Sequence, residues 1–326
     1  MSARRIAMDK VIISTVTYNS SHFLKRLVEA VSLQTFPVLR MIIVDNASTN
    51  EHKKVIDELA LNYSFVEVVT AQDNLGGAGG FEMGMKYILD KEYEYDWIWI
   101  MDDDAFPRPD CLEKLLAHRN LENIGALVPM IYGVELQKFQ FAHHKKESKY
   151  LDKDVAIGRS LDEFSDITEV ETNAFVGPLV SREAILTVGI PNGSLFIYGD
   201  DTEYMYRVSR QFTLYLIKNA VINHRDIIES TNKINPSRYW KEYYKYRNRL
   251  LFISEFQKSK SKRSIGHLLV MKEILREEAA TLVHSQYKGF KATRCTCLLK
   301  AFWDGIRGNS GKTIDPGEFM RKVSSK

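Results

Sequence analysis

The chain has 326 residues, 44% of them hydrophobic and 27% charged, with a net charge of +3 at pH 7. That length allows one large domain or two ordinary ones around a full core, and so small a net charge gives no electrostatic case for a nucleic-acid partner. Three cysteines (Cys111, Cys295, Cys297) form neither an even framework nor a zinc-type Cys/His spacing, which predicts a reducing compartment.

Residues 1–10 are basic but lack the apolar core of a signal peptide. No run of about 18 apolar residues exists to span a bilayer. The expected location is therefore cytoplasmic, with at most peripheral contact at the inner membrane face. The β-branched run Val11 to Thr17 predicts a first strand, and helical spacing follows over 22–34 until Pro37. A second strand over 41–44 ends at Asp45, a polar helix covers about 51–62, and a third strand covers 66–70. After Asn74 come four glycines, Gly76, Gly77, Gly79 and Gly80, with a helix expected from Phe81 to about Leu89. The strand Trp97 to Met101 closes this half. Strand and helix alternate, which predicts an α/β fold with a mostly parallel, doubly wound sheet.

Farther on, residues 110–119 predict a helix and 124–132 a strand, and the polar stretch 133–168 predicts a long loop with edge strands, of a kind that is often functional. Strands are expected over 172–180 and 214–222. Beyond about 235 the pattern turns helical, over 239–256, 264–284 and 292–306.

Asp102, Asp103 and Asp104 follow a buried strand at once. Packing does not favour carboxylates there, because unpaired charge is costly to desolvate. Ligands, however, bind at the carboxyl ends of strands in an open sheet, and adjacent aspartates can hold a hard divalent cation together with phosphate oxygens. The glycines suit close backbone approach to a phosphate at a helix N-terminus, or simply a flexible turn. Asp45 suits a helix cap or a contact to base or ribose. His224, after the apolar Val221 and Ile222, suits a ligand or a buried structural histidine.

Taken in order, TYNS, VDNAS, NLGGAGGF, WIWIMDDDA, GDDTEYMYR and INHRD resemble an inverting family 2 glycosyltransferase of the GT-A fold. The likeness covers residues 10–230. RYWKEYYKYRNRLL and FWDGIRGNSGK extend it to about 312, toward galactofuranosyltransferases and rhamnosyltransferases. The resemblance implies a catalytic, nucleotide-sugar-binding unit over 1–234 and a helical region over 235–326. That region would serve acceptor, membrane-surface or homo-oligomer contacts.

By the same resemblance, Thr15, Tyr18 and Asp45 hold the nucleoside of a UDP-sugar donor, or of dTDP-rhamnose. Asn74 and its glycines lie at the diphosphate and donor sugar. Asp102 and Asp104, with His224, bind Mn2+ or Mg2+; Asp103 is an alternative first ligand, since three aspartates stand in a row. Asp201 is the general base, with Asp200 and Glu203 as neighbours able to take that role. A helix N-terminus that simply favours acids is the competing explanation. Phe175 and Gly177 face a glycan or polyprenyl-diphosphate-linked acceptor, or pack as an ordinary strand. Trp240, Tyr243, Tyr244, Tyr246 and Arg247 form either a lipid-carrier contact or a core with a charged flank.

Overall fold

The computed structural model of the chain describes residues 8–226 and 235–324. Its first half alternates β1 (Val11–Thr17), α1 (Ser21–Ser32), β2 (Arg40–Asp45), α2 (Asn50–Asn62), β3 (Val66–Thr70), α3 (Gly76–Asp90) and β4 (Trp97–Asp102). These four strands are mutually parallel in the order β4-β1-β2-β3. Their register puts Thr17 opposite Asp45 and Val16 opposite Asp102. Three strand ends thus finish flush at one edge, where the ligand crevice of such a sheet opens.

The second half adds β5 (Ala105–Pro107), α4 (Cys111–Leu116), β6 (Ile124–Gly133), β7 (Lys138–Phe139), β8 (His144–Glu147), β9 (Asp154–Ala156), β10 (Ile167–Val170), β11 (Thr172–Asn173), β12 (Val176–Ser181), α5 (Arg182–Val188), α6 (Asp200–Ser209) and β13 (Thr213–His224). The large sheet runs β10-β13-β6-β12-β4-β1-β2-β3. β12 is antiparallel to both β4 and β6, while β13 is parallel to β6. The strand expected over 172–180 is therefore two: β11 joins β8 and β9 in a separate small sheet, and β12 enters the large one. The polar stretch 133–168 is more than a loop: it supplies β7, which pairs with β6, and β8 and β9 of the small sheet.

Alternation along each strand feeds two cores. Ile13, Met41 and Trp99 pack with α1 and α4 on one face. Ile12, Ile42 and Ile98 pack with α3 and α6 on the other. Helix α3 starts at Gly76 rather than Phe81, so the glycines belong to its first turns. A side chain at Gly80 would overlap Val16 of β1, so the glycine there is what lets helix and strand touch. Gly76 has φ +74°, and its Cα lies against the Phe196 carbonyl.

The C-terminal region holds α7 (Tyr239–Phe256), α8 (Lys260–Val283), α9 (Lys291–Arg307) and α10 (Pro316–Ser324). The boundary expected at 234 falls at the end of 227–234, outside the described residues. Tyr243 and Tyr244 of α7 are fully buried in a third core with Leu298 and Ala301 of α9, and Trp240 and Tyr246 are nearly so. The aromatic stripe is core, not a lipid-facing surface. Among the described residues no helix is long and apolar enough to cross a membrane.

Candidate active site

Asp102 ends β4, and its backbone N–H donates to the Phe175 carbonyl at 2.8 Å. Asp103 and Asp104 make the turn into β5. The Thr17 hydroxyl donates to Asp103 Oδ2 at 2.7 Å, tying the turn to the end of β1. β13 pairs with β5 so that His224 stands opposite Ala105. That register brings His224 Nε2 to 3.4 Å from Asp104 Oδ1.

The other imidazole nitrogen of His224 meets Gln140 Oε1 at 3.0 Å, and His143 Nε2 meets the same oxygen at 2.8 Å. Gln140 Nε2 donates to Asp226 at 2.7 Å, which commits the amide orientation. The oxygen is therefore an acceptor for both rings, and Nδ1 of His224 carries the proton. Its Nε2 is left as the atom that can bind a metal or meet Asp104. The sequence offered no sign of Gln140, buried as it is in a polar stretch without periodicity.

Asp200 and Asp201 begin α6, where the helix N-terminus favours negative charge. They reach the same field as the β4 tip. The Asp102 carboxyl is held well above its ordinary range, first by burial and then by the like charges of Asp104, Asp103, Asp200 and Asp201. Burial also pushes Asp103 up to about 7, against the bond from Thr17, and Asp200 up to about 7 with help from Asp201. Asp102 and Asp103 keep some accessible surface, but protein surrounds them closely enough for burial to dominate. Five carboxylates with so little matching positive charge fit a divalent cation. Among the described residues no three His, Cys, Asp or Glu side chains are gathered as a cage. Asp104 and His224 already face each other, whereas Asp102 is not drawn into that pair.

Glu203 is 3% exposed and forms two bonds with Arg207, at 2.8 and 3.0 Å. Arg207 also holds the carbonyls of Val188 and Ile190. Both oxygens of Glu203 are committed to this anchor. Asp201 stays partly exposed, with Oδ1 accepting from the Thr202 N–H at 2.6 Å. Lys145 of β8, bridged to Asp154 at 2.5 Å, lies within electrostatic reach of it.

On the other side of the crevice, Asp45 is 1% exposed and accepts from the Ser48 N–H at 3.0 Å. Its second oxygen, like the Thr15 hydroxyl, has no hydrogen-bond partner among the described residues. Buried oxygens left so are costly unless something completes them. Tyr18 is half exposed at the mouth. Asn74 Oδ1 accepts from the Gly76 N–H at 2.8 Å. Asn46 was not singled out in the sequence, although it adjoins Asp45. Its amide donates to the Gly76 carbonyl at 3.0 Å and accepts from the Leu75 N–H at 2.8 Å, joining the β2 end to the α3 start. Gly77 lies against Asp200 Oδ2, which a Cβ there would meet at 3.8 Å, and Gly79 lies by the Gly193 carbonyl. A cleft of about 710 Å3 runs along Asn74, Gly79, Glu82, Phe196 and Lys312.

Phe175 and Gly177 lie in packing instead of on the crevice wall. The Phe175 ring is 2% exposed and sits 4.7 Å from Phe81 and 6.0 Å from Tyr204, centroid to centroid. The Gly177 carbonyl accepts from the Trp99 indole at 2.8 Å. Both support the strand end that carries Asp102, so the acceptor-facing role expected of them gives way to a supporting one.

Known proteins resemble this chain in sequence and in fold. GlfT1, a galactofuranosyltransferase of Mycolicibacterium smegmatis, is 26% identical over 198 residues, or 60% of this chain and 64% of that protein. The glycosyltransferase GlyG of Streptococcus pneumoniae is 23% identical over 208 residues, 63% and 64% of the two chains. The chain thus spans slightly less than two thirds of the length of these relatives. Mannosyltransferase PcManGT from Pyrobaculum calidifontis, solved with GDP-Man and Mn2+, superposes with a TM-score of 0.54 at 12% identity, over 93% of this chain and 90% of that one. S. aureus TarS, solved with UDP, gives 0.54 at 13% identity, over 91% and 81%. At those identities the likeness is one of fold, the GT-A fold. The profile of glycosyl transferase family 2 matches residues 12–185, more than half of the sequence, and the chain belongs to that family.

Proposed function

We propose that the chain is a metal-dependent inverting glycosyltransferase that moves galactofuranose from UDP-galactofuranose to a hydroxyl of a lipid-linked or polysaccharide glycan. Residues 1–234 form its catalytic unit in this reading and 235–326 a helical region attached to it. The observation that carries it is the geometry of the β4 tip, where the Thr17 hydroxyl holds Asp103 at 2.7 Å and His224 Nε2 stands 3.4 Å from Asp104, with Asp200 and Asp201 near enough to add to the effect of burial on Asp102. The names of the mycobacterial relatives support the choice of sugar.

The unpartnered, buried oxygens of Thr15 and Asp45 would complete their bonding with the nucleoside, and the first turn of α3 would lie along the diphosphate. Asp102 and Asp104, with Nε2 of His224, would hold Mn2+ or Mg2+. Such a cation, when bound, offsets the charge on the departing nucleoside diphosphate. Asp201 takes the proton of the acceptor hydroxyl as its oxygen attacks the anomeric carbon from the face opposite the leaving group, which inverts that centre. Asp200 is buried, whereas Asp201 keeps exposed surface on which to meet an acceptor hydroxyl, so Asp201 is the base in this reading.

Asp201→Asn tests the reading with UDP-galactofuranose, Mn2+ and a panel of glycan acceptors. The expected loss of turnover is roughly 100- to 10,000-fold, with UDP affinity retained. Wild-type protein that neither transfers nor hydrolyses the furanose donor would overturn the choice of sugar. A larger thermal shift with dTDP than with UDP would redirect it to rhamnose.

A further inference from the structure

Asp200 and Asp201 follow a segment whose backbone has little support of its own. After the turn Gly193–Leu195, Phe196 has φ 65°, Tyr198 φ 64° and Gly199 φ 82°. Two bulky residues in the left-handed region persist only where the surroundings over-determine them. The Phe196 carbonyl is taken by the Ala78 N–H of α3 at 3.1 Å. The carbonyls of Leu195, Ile197 and Tyr198 are held from α7, about fifty residues later in the chain, the first of them shared with the Ile197 N–H at 2.8 Å.

Asn248 points its amide nitrogen at the carbonyls of Leu195, Ile197 and Tyr198, at 3.0, 2.9 and 2.7 Å. Arg247 Nε donates to Asn248 Oδ1 at 2.8 Å, which turns that nitrogen toward the segment. Arg247 also donates to the Leu195 carbonyl at 2.9 Å and the Gly311 carbonyl at 2.6 Å. The Gly311 N–H returns to the Ser194 carbonyl at 2.6 Å. Arg247 is 0% exposed and Asn248 3%. Among the described residues Arg247 hydrogen-bonds no carboxylate, and Asp304 acts on it only at a distance. Burying a guanidinium to bond carbonyls is an expensive way to pack a helix, but it suits fixing a backbone that cannot fix itself.

We infer that Arg247 and Asn248 are positioning residues for Asp201: the helical region and the segment around Gly311 set where the proton acceptor stands. This rests on the function proposed above. Asn248→Ala in the full chain should lower kcat roughly 10- to 100-fold, as a small misplacement of a reacting group does, with donor KM and UDP affinity within about two-fold. Amide exchange should quicken over 196–201 while β1 to β4 stay protected. If Asn248→Ala does not fold, Arg247→Lys carries the test, since it keeps the charge but loses the fork. Unchanged kcat with unchanged exchange overturns the inference, as does a uniform loss of protection across the sheet. Wild-type protein inactive with every nucleotide sugar would sink the functional reading alone, because the exchange pattern still tests the clamp.

Discussion

The two acidic ends of the crevice are held in different ways. The tip at 102–104 is placed by strand ladders: β1 beside β4, and β13 folded back on β5, fix Thr17 and His224 against it. The start of α6 is placed by side chains, with Asn248 and Arg247 reaching in from α7. A ladder repeats its bonds and tolerates the loss of one. A side-chain clamp gathers its effect in two residues.

Several substitutions bear on this contrast. The largest effect belongs to Asp104→Ala. It should weaken Mn2+-dependent UDP binding beyond the roughly 10- to 100-fold that changes behind a metal ligand cost, while metal-free UDP binding and melting temperature stay close to wild type. Isothermal titration with and without Mn2+ reads this, and equal losses in both conditions would count against a metal at the tip. Gln140→Leu comes next. It frees the His224 ring without touching the ladder, and should cost Mn2+ affinity roughly 10- to 100-fold, measured by titration with the metal plus UDP. Glu203→Gln is the smallest. It weakens the anchor to Arg207 by about 1–2 kcal/mol, a charged hydrogen-bond pair with one partner partly in solvent. Urea midpoints should fall while turnover per folded molecule is unchanged; a collapse of turnover would return Glu203 to the list of bases.

What the sequence disclosed follows the same division. β1, β2, β4 and the whole of α7 were legible because apolar periodicity and β-branched runs are local signals. The acidic tip was legible because carboxylates after a buried strand break the expectation of that strand. Gly76 to Gly80 lie ahead of the helix expected from Phe81, yet they form its first turns. Their low helix propensity is overridden by the need for α3 to lie on β1, a contact invisible along the chain. The division of 172–180 between two sheets depends on where β8 lies, and no periodicity records that. Arg247 was noticed only as part of an aromatic and basic stripe. Its bonds to Leu195 and Gly311 span 52 and 64 positions, a separation at which residue type carries no trace of the partner.

The bond from Gly311 to Ser194 has a consequence for synthesis. A ribosome can finish every strand of the large sheet long before that glycine leaves the exit tunnel. Until it does, the segment that leads into Asp201 lacks that bond. On the function proposed above, translation of the tail would be the step that arms the enzyme, and a nascent chain able to grip nucleotide would still be unable to spend it.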